Sequence, residues 1–128
     1  MIARVLLAED EALLRKALGS LLSRAGFDVM CVDDGGPAIA AADDHTFDLV
    51  VADLNMHKVG GLAVVNHYKK RFGDNIRCFI LTGELDERIE AECRQAGADH
   101  VIAKPVTPSE LRSQLTAAVR TLPGHDVA

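Results

Sequence analysis

Five short apolar or β-branched runs, Arg4–Ala8, Phe27–Val32, Phe47–Ala52, Arg77–Leu81 and His100–Ala103, return every 20 to 30 residues along the chain. That interval is too long for hairpins and suits a crossover helix, so the runs predict parallel strands alternating with helices. The stretches Val5 to Ala8 and Leu49 to Ala52 contain no polar residue, and strands so uniformly apolar are buried on both faces. Eight such units would be needed for a barrel. Five leave an open doubly wound α/β sheet, whose usual order is 2-1-3-4-5.

The intervening segments carry helical signals. Leu14, Ala17, Leu18, Leu21, Leu22 and Ala25 fall on one face ahead of a Gly26 stop. Pro37 suits the first turn of a second helix reaching Ala42, and Gly61 to Phe72 forms a third, closed by Gly73. The fourth, Asp86 to Ala96, has the thin stripe Ile89, Cys93 and Ala96 and is expected to be loosely held. The last opens on Thr107-Pro108-Ser109-Glu110, a cap, a first-turn proline and a capping-box glutamate, and buries Leu111, Leu115, Ala118, Val119 and Leu122.

A chain of 128 residues accommodates one core, and 48% hydrophobic with 26% charged residues excludes a disordered chain. With 14 basic against 19 acidic residues and no Trp, direct nucleic-acid binding is not expected. No apolar run approaches membrane-spanning length and no secretory leader is legible, so a cytoplasmic location and no membrane partner are expected. Cys31, Cys78 and Cys93 are odd in number and widely spaced, and are read as small buried hydrophobes.

Ligands of doubly wound sheets bind at the carboxyl ends of the strands, beside the point where strand order reverses, here between strands one and three. The residues at those ends are Glu9 and Asp10, Asp53, Thr82, and Lys104; strand two ends in Asp33 and Asp34. Each alone is an ordinary cap or surface residue. Together they set three carboxylates, a hydroxyl and an ammonium around one crevice. Clustered carboxylates raise one another's pKa unless a cation intervenes, and oxygen donors without His or Cys select Mg²⁺, Mn²⁺ or Ca²⁺. Mg²⁺ and Lys104 would neutralise the three carboxylates. Such a site suits phosphoryl transfer onto a carboxylate. Asp53, at the switch point, is the candidate nucleophile, Glu9 and Asp10 the metal ligands, and Thr82 and Lys104 the partners of the phosphoryl oxygens.

Four motifs, Val5-Leu6-Leu7-Ala8-Glu9-Asp10-Glu11, Asp48-Leu49-Val50-Val51-Ala52-Asp53-Leu54-Asn55-Met56, Leu81-Thr82-Gly83, and Ala96-Gly97-Ala98-Asp99 running on to Lys104-Pro105, occur in order. In this the chain resembles the receiver domain of bacterial two-component response regulators, from Arg4 to about Leu122. The resemblance implies a flavodoxin-like (βα)5 fold and a phosphorylation-activated switch. It assigns Asp53 as acceptor of a phosphoryl group from a phosphohistidine on a sensor histidine kinase or histidine phosphotransfer protein. It also assigns Mg²⁺ to Glu9, Asp10, Asp53 and the backbone carbonyl of Asn55, and places Thr82 and Lys104 at the phosphoryl group. A cis Lys104-Pro105 bond is common in such domains. The downstream partner or output domain would read the face formed by helix four, strand five and helix five. Residues 1–122 are expected as the receiver and 123–128 as a short tail without an output domain.

Two departures bear on function. The family loop Met-Pro-Gly-x-Asp-Gly is here Met56-His57-Lys58-Val59-Gly60-Gly61, which is expected to loosen it. Val101 stands where a Tyr or Phe commonly follows activation, so the response is expected to rest on loop and helix displacement. His57, four residues after Asp53, is a candidate to approach the site; His45, His67, His100 and His125 are read as surface residues. The competing reading is a Mg²⁺-dependent aspartyl-phosphate phosphatase or phosphotransferase acting on small molecules. Haloacid-dehalogenase-like enzymes of that kind need a second Asp where this chain has Asn55. A third reading, a receiver-like module that takes no phosphate, is opposed by the intact set of five side chains. The expected protein is therefore no metabolic enzyme; it catalyses only its own phosphorylation and dephosphorylation.

Overall fold

The structure is a computed structural model that describes residues 1–124. Five strands, β1 (Arg4–Ala8), β2 (Asp28–Val32), β3 (Leu49–Asp53), β4 (Arg77–Thr82) and β5 (His100–Ala103), form one parallel sheet in the order β2-β1-β3-β4-β5. The helices α1 (Ala12–Arg24), α2 (Gly35–Ala40), α3 (Gly61–Phe72), α4 (Glu87–Ala96) and α5 (Pro108–Val119) are the crossovers. The fold is thus the expected flavodoxin-like (βα)5 arrangement. No helix of the described residues is long and apolar enough to cross a membrane.

Strand alternation divides the core between the two sheet faces. Leu6, Ala8, Val50, Ala52, Cys78 and Ile80 pack with Val64, Val65 and Tyr68 of α3 and with Ile89 and Cys93 of α4. Val5, Leu7, Leu49, Val51, Phe79 and Leu81 pack with Leu18 and Leu22 of α1 and with Leu111 and Leu115 of α5. Each central strand is therefore covered on both sides, which explains its unbroken apolar run.

The helix termini follow the local chemistry. Asp86 accepts a hydrogen bond from Ile89 N at 2.8 Å and Thr107 Oγ1 one from Glu110 N at 3.1 Å, so both side chains cap their helices. Gly97 closes α4 in a left-handed conformation, φ 114°. The second helix stops at Ala40 and continues as a 3₁₀ turn over Ala41–Asp43, short of the expected single helix to Ala42. Ala17 is exposed, whereas Gly19 is buried against β2: a Cβ at Gly19 would stand 2.7 Å from Cys31 Sγ. Cys31 itself is exposed, because β2 is an edge strand; only Cys78 and Cys93 are the buried hydrophobes expected of all three. Leu122 is buried beneath the end of α5, and of the expected tail 123–128, residues 125–128, including His125, lie outside the described residues.

Candidate functional site at the carboxyl end of the sheet

Strand register brings the expected residues side by side. Ala8 pairs with Ala52, Asp53 with Leu81, and Thr82 with Ala103, so the residues ending each strand share one edge of the sheet. The ladder also runs on into the site: Glu9 N donates to Val32 O at 3.1 Å, Leu54 N to Leu81 O at 2.8 Å and Lys104 N to Thr82 O at 2.8 Å. Backbone hydrogen bonding thus fixes the residues flanking the crevice as firmly as strand residues.

Glu9 and Asp53 are buried, at 1% and 9% exposure, while Asp10 is open to water. One carboxylate oxygen from each lies within 4.8 Å of the other two. Lys104 Nζ donates to Glu9 Oε1 and to Asp53 Oδ2, both at 2.9 Å. Burial alone would lower the Lys104 pKa, but the hydrogen bonds and charges of the two carboxylates outweigh it and hold the ammonium above the ordinary lysine range. The Lys104–Pro105 peptide is cis, as expected. The other oxygen of Glu9, Oε2, accepts from Glu11 N at 3.1 Å. Asp53 Oδ1 has no hydrogen-bond partner among the described residues.

Thr82 is buried at 1% exposure, and its hydroxyl accepts from Glu84 N at 3.1 Å. The hydroxyl at the end of β4 therefore holds the turn leading to α4. Val101, half-buried, packs against the core on the α3–α4 side of the sheet, so no aromatic ring occupies that position. His57 is exposed and lines a cavity of about 330 Å³ with Asp33, Asp34, Gly36, Pro37, Lys58 and Val59; no hydrogen bond joins it to the three carboxylates.

Three carboxylates and one ammonium leave two negative charges, two of the acids being buried. An all-oxygen donor set with that excess fits a hard divalent cation and offers nothing to a soft one. One residue at the site was not named from sequence, and a second was named there only as an acid ending strand two, with no role. Arg15, in the first turn of α1, donates to Glu9 O at 2.8 Å and to Asp10 O at 3.5 Å, bracing the acidic turn from behind. Its only signal is its place one turn after the acidic run. The other is Asp34, the terminal acid of the second strand's run, whose carboxylate accepts from Lys58 N at 2.9 Å and Val59 N at 3.0 Å in the loop after Asp53. An Asp followed by Gly at a helix start signals a cap, not the distant loop it also holds.

Comparison with known proteins bears directly on this arrangement. The chain is 35% identical to the transcriptional regulatory protein QseB of Haemophilus influenzae over 95% of its own length and 55% of that protein's. It is 33% identical to a cyclic di-GMP phosphodiesterase of Thermotoga maritima, over 94% of its length and 32% of the relative's. The chain therefore spans about a third to about half of these relatives. Among solved structures, the chemotaxis protein CheY4 of Vibrio cholerae superposes with a TM-score of 0.85 at 27% identity, covering 92% of this chain and 99% of that one. The family model of the response regulator receiver domain matches residues 5–116, and the chain accordingly belongs to that family of two-component signalling modules.

Proposed function

We propose that the chain is a phosphorylation-activated switch in which Asp53 accepts a phosphoryl group from a phosphohistidine donor on a sensor histidine kinase or histidine phosphotransfer protein. The observation that carries the reading is Lys104 Nζ set 2.9 Å from both Glu9 and Asp53 at the carboxyl edge of the sheet. Asp53 Oδ2 is tied to the ammonium, which leaves Oδ1 as the nucleophilic oxygen. Attack of Oδ1 on phosphorus forms an acyl phosphate as the bond to the donor imidazole nitrogen breaks, and the electron pair leaves with the imidazole. Lys104 then pairs with a phosphoryl oxygen, and the Thr82 hydroxyl, now accepting from Glu84 N, has its own proton to donate to another.

Glu9, Asp10, Asp53 and the Asn55 carbonyl are the proposed ligands of Mg²⁺, which when bound offsets charge on the transferring phosphoryl oxygens. Movement of Thr82 toward the phosphoryl group strains its bond to Glu84 N and shifts the turn Gly83-Glu84-Leu85, and α4 beyond it. The α4–β5–α5 face is then the surface a protein partner or output domain reads. Leu85, 37% exposed, lies at the entrance to that face.

Incubation with acetyl phosphate and Mg²⁺, followed by intact mass measurement, tests the reading. One added phosphoryl group, lost on alkaline treatment and absent from Asp53→Asn, is expected. Stoichiometric labelling of Asp53→Asn overturns the acceptor assignment, and steady turnover of added phosphoesters overturns the switch in favour of an enzyme.

A further inference from the structure

The loop after Asp53 lacks the proline and aspartate of the family pattern, yet it is fastened at two levels. At its base, Gly61 N donates to Leu54 O at 3.0 Å, and a Cβ at Gly61 would stand 2.5 Å from Asp53 O, so the chain closes tightly behind the acceptor. At its tip, Asp34 Oδ1 accepts from Lys58 N at 2.9 Å and Oδ2 from Val59 N at 3.0 Å. Gly35 N returns a bond to Val59 O at 3.0 Å. A Cβ at Gly35 would stand 2.4 Å from that oxygen and 2.6 Å from Val59 Cγ1, so the two turns pack backbone to backbone. The Asp34 carboxyl also accepts from Gly36 N at 3.5 Å, where it caps α2. The backbone amides of Lys58, Val59, Gly36 and Gly35, the Lys58 bond foremost, hold its pKa below the ordinary aspartate range against the opposing effect of burial.

We propose that Asp34 is a positioning residue for the metal site: by clasping Lys58 and Val59 across two turns it sets the path of residues 54–61, and with it the Asn55 carbonyl proposed to face Mg²⁺. The inference rests on the reading of Glu9, Asp10 and Asp53 as a Mg²⁺ site, and adds a residue from the turn between β2 and α2 that is placed at neither metal nor phosphoryl group. Substituting a partner that orients a metal ligand typically weakens metal binding about 10–100-fold, and a clasp acting through backbone belongs at the lower end.

Asp34→Ser separates the clasp from the helix cap, because Ser caps α2 but is too short to reach both amides of the loop. Asp34→Asn retains one acceptor oxygen and is the rescue variant. Amide exchange in metal-free protein and Mg²⁺ titration by NMR are the two readouts. Exchange at Lys58 and Val59 is expected to be at least about tenfold faster in Asp34→Ser, with α2 and sheet amides unchanged. Mg²⁺ affinity is expected to fall about tenfold, with Asp34→Asn between it and wild type. Unchanged exchange at Lys58 and Val59 overturns the clasp, and faster exchange with unchanged Mg²⁺ affinity overturns the positioning role. Wild-type protein that binds no Mg²⁺ overturns the underlying metal reading and this inference with it. Failure of the clasp alone is distinct, since it leaves wild-type binding intact.

Discussion

Replacing Lys104 by Met separates two effects of one ammonium. In the metal-free protein Lys104 is the cation that touches Glu9 and Asp53, both of them buried. Its loss strands two buried carboxylates beside a third, while the Met side chain occupies nearly the same space, so little of the effect is packing. Removing one partner of a buried pair costs about 3–5 kcal/mol, and because the Lys104 side chain keeps 23% exposure the expectation here is about 2–3 kcal/mol. With a urea m-value near 2 kcal/mol/M, that is a fall of about 1–1.5 M in the unfolding midpoint, measured in EDTA.

Mg²⁺ affinity is expected to move the other way. At the proposed metal site Lys104 and Mg²⁺ would neutralise the same carboxylates, so removing the lysine leaves a more negative site and is expected to tighten Mg²⁺ binding. Saturating Mg²⁺ therefore narrows the stability gap between Lys104→Met and wild type. The pH dependence carries its own sign. Because the folded-state pKa of Lys104 is raised, its contribution is complete below the ordinary value of 10.5 and is lost as pH rises through the folded value. The wild type therefore loses stability on that alkaline limb, and Lys104→Met lacks that loss. An unchanged midpoint in EDTA, or Mg²⁺ binding that weakens in the variant, would refute the charge argument.

Two further perturbations probe the scaffold beneath the site. Tyr68→Phe removes a buried hydroxyl that donates to Ala38 O at 2.6 Å and whose pKa burial raises to about 12; a loss of about 1–2 kcal/mol in urea unfolding is expected, and a neutral result would show the bond contributes nothing net. His100 stacks on Phe79 with ring centroids 4.6 Å apart, and burial lowers its pKa below the ordinary 6.5 despite the opposing charge of Asp99. Its neutral form is the folded one, so stability falls as pH drops through the window beneath 6.5; His100→Phe is expected to flatten that limb, and an unaltered urea-midpoint profile between pH 5 and 7 would count against it.

The elements that sequence made legible are those whose signal is local. An apolar strand, a Thr107-Pro108 helix start and a Gly73 stop each carry their chemistry within a few residues, and each appears where expected. The grouping of the candidate residues was legible for a different reason: parallel strands put their carboxyl ends at one edge, which brings Lys104 to Glu9 and Asp53 and sets Thr82 at the end of the neighbouring strand. What escaped was contact between segments with no common pattern. Cys31 lies within the apolar run of β2 yet is exposed, because an edge strand lacks a neighbour on one side. Lys69 opens the basic Lys69-Lys70-Arg71 run at the end of α3, and its ammonium reaches Ile76 O and Asp99 Oδ2, both at 2.7 Å, contacts that no sequence pattern marks. Asp99 meanwhile accepts from Cys78 N at 2.7 Å, so one carboxylate joins α3, β4 and the entry to β5.

That junction bears on where a disturbance at the crevice can travel. At the far end of the sheet Lys69 and Asp99 hold α3 and the starts of β4 and β5 together, and Arg94 donates to Asp99 O, tethering the end of α4 as well. At the near end Asp34 holds the loop after Asp53, and Arg15 holds the acidic turn. The N-terminal half of α4 has fewer restraints: its cap at Asp86, the buried Ile89, and the turn fastened through Glu84 N to Thr82 Oγ1. Its two ion pairs, Arg88–Glu92 and Glu90–Arg94, lie within the helix and anchor it to nothing else. On the proposed switch, a pull on the Thr82 hydroxyl would meet least resistance at Gly83-Glu84-Leu85 and the first turns of α4, with the end tethered at Asp99 as the pivot, because Val101 offers no aromatic ring to rotate in its place.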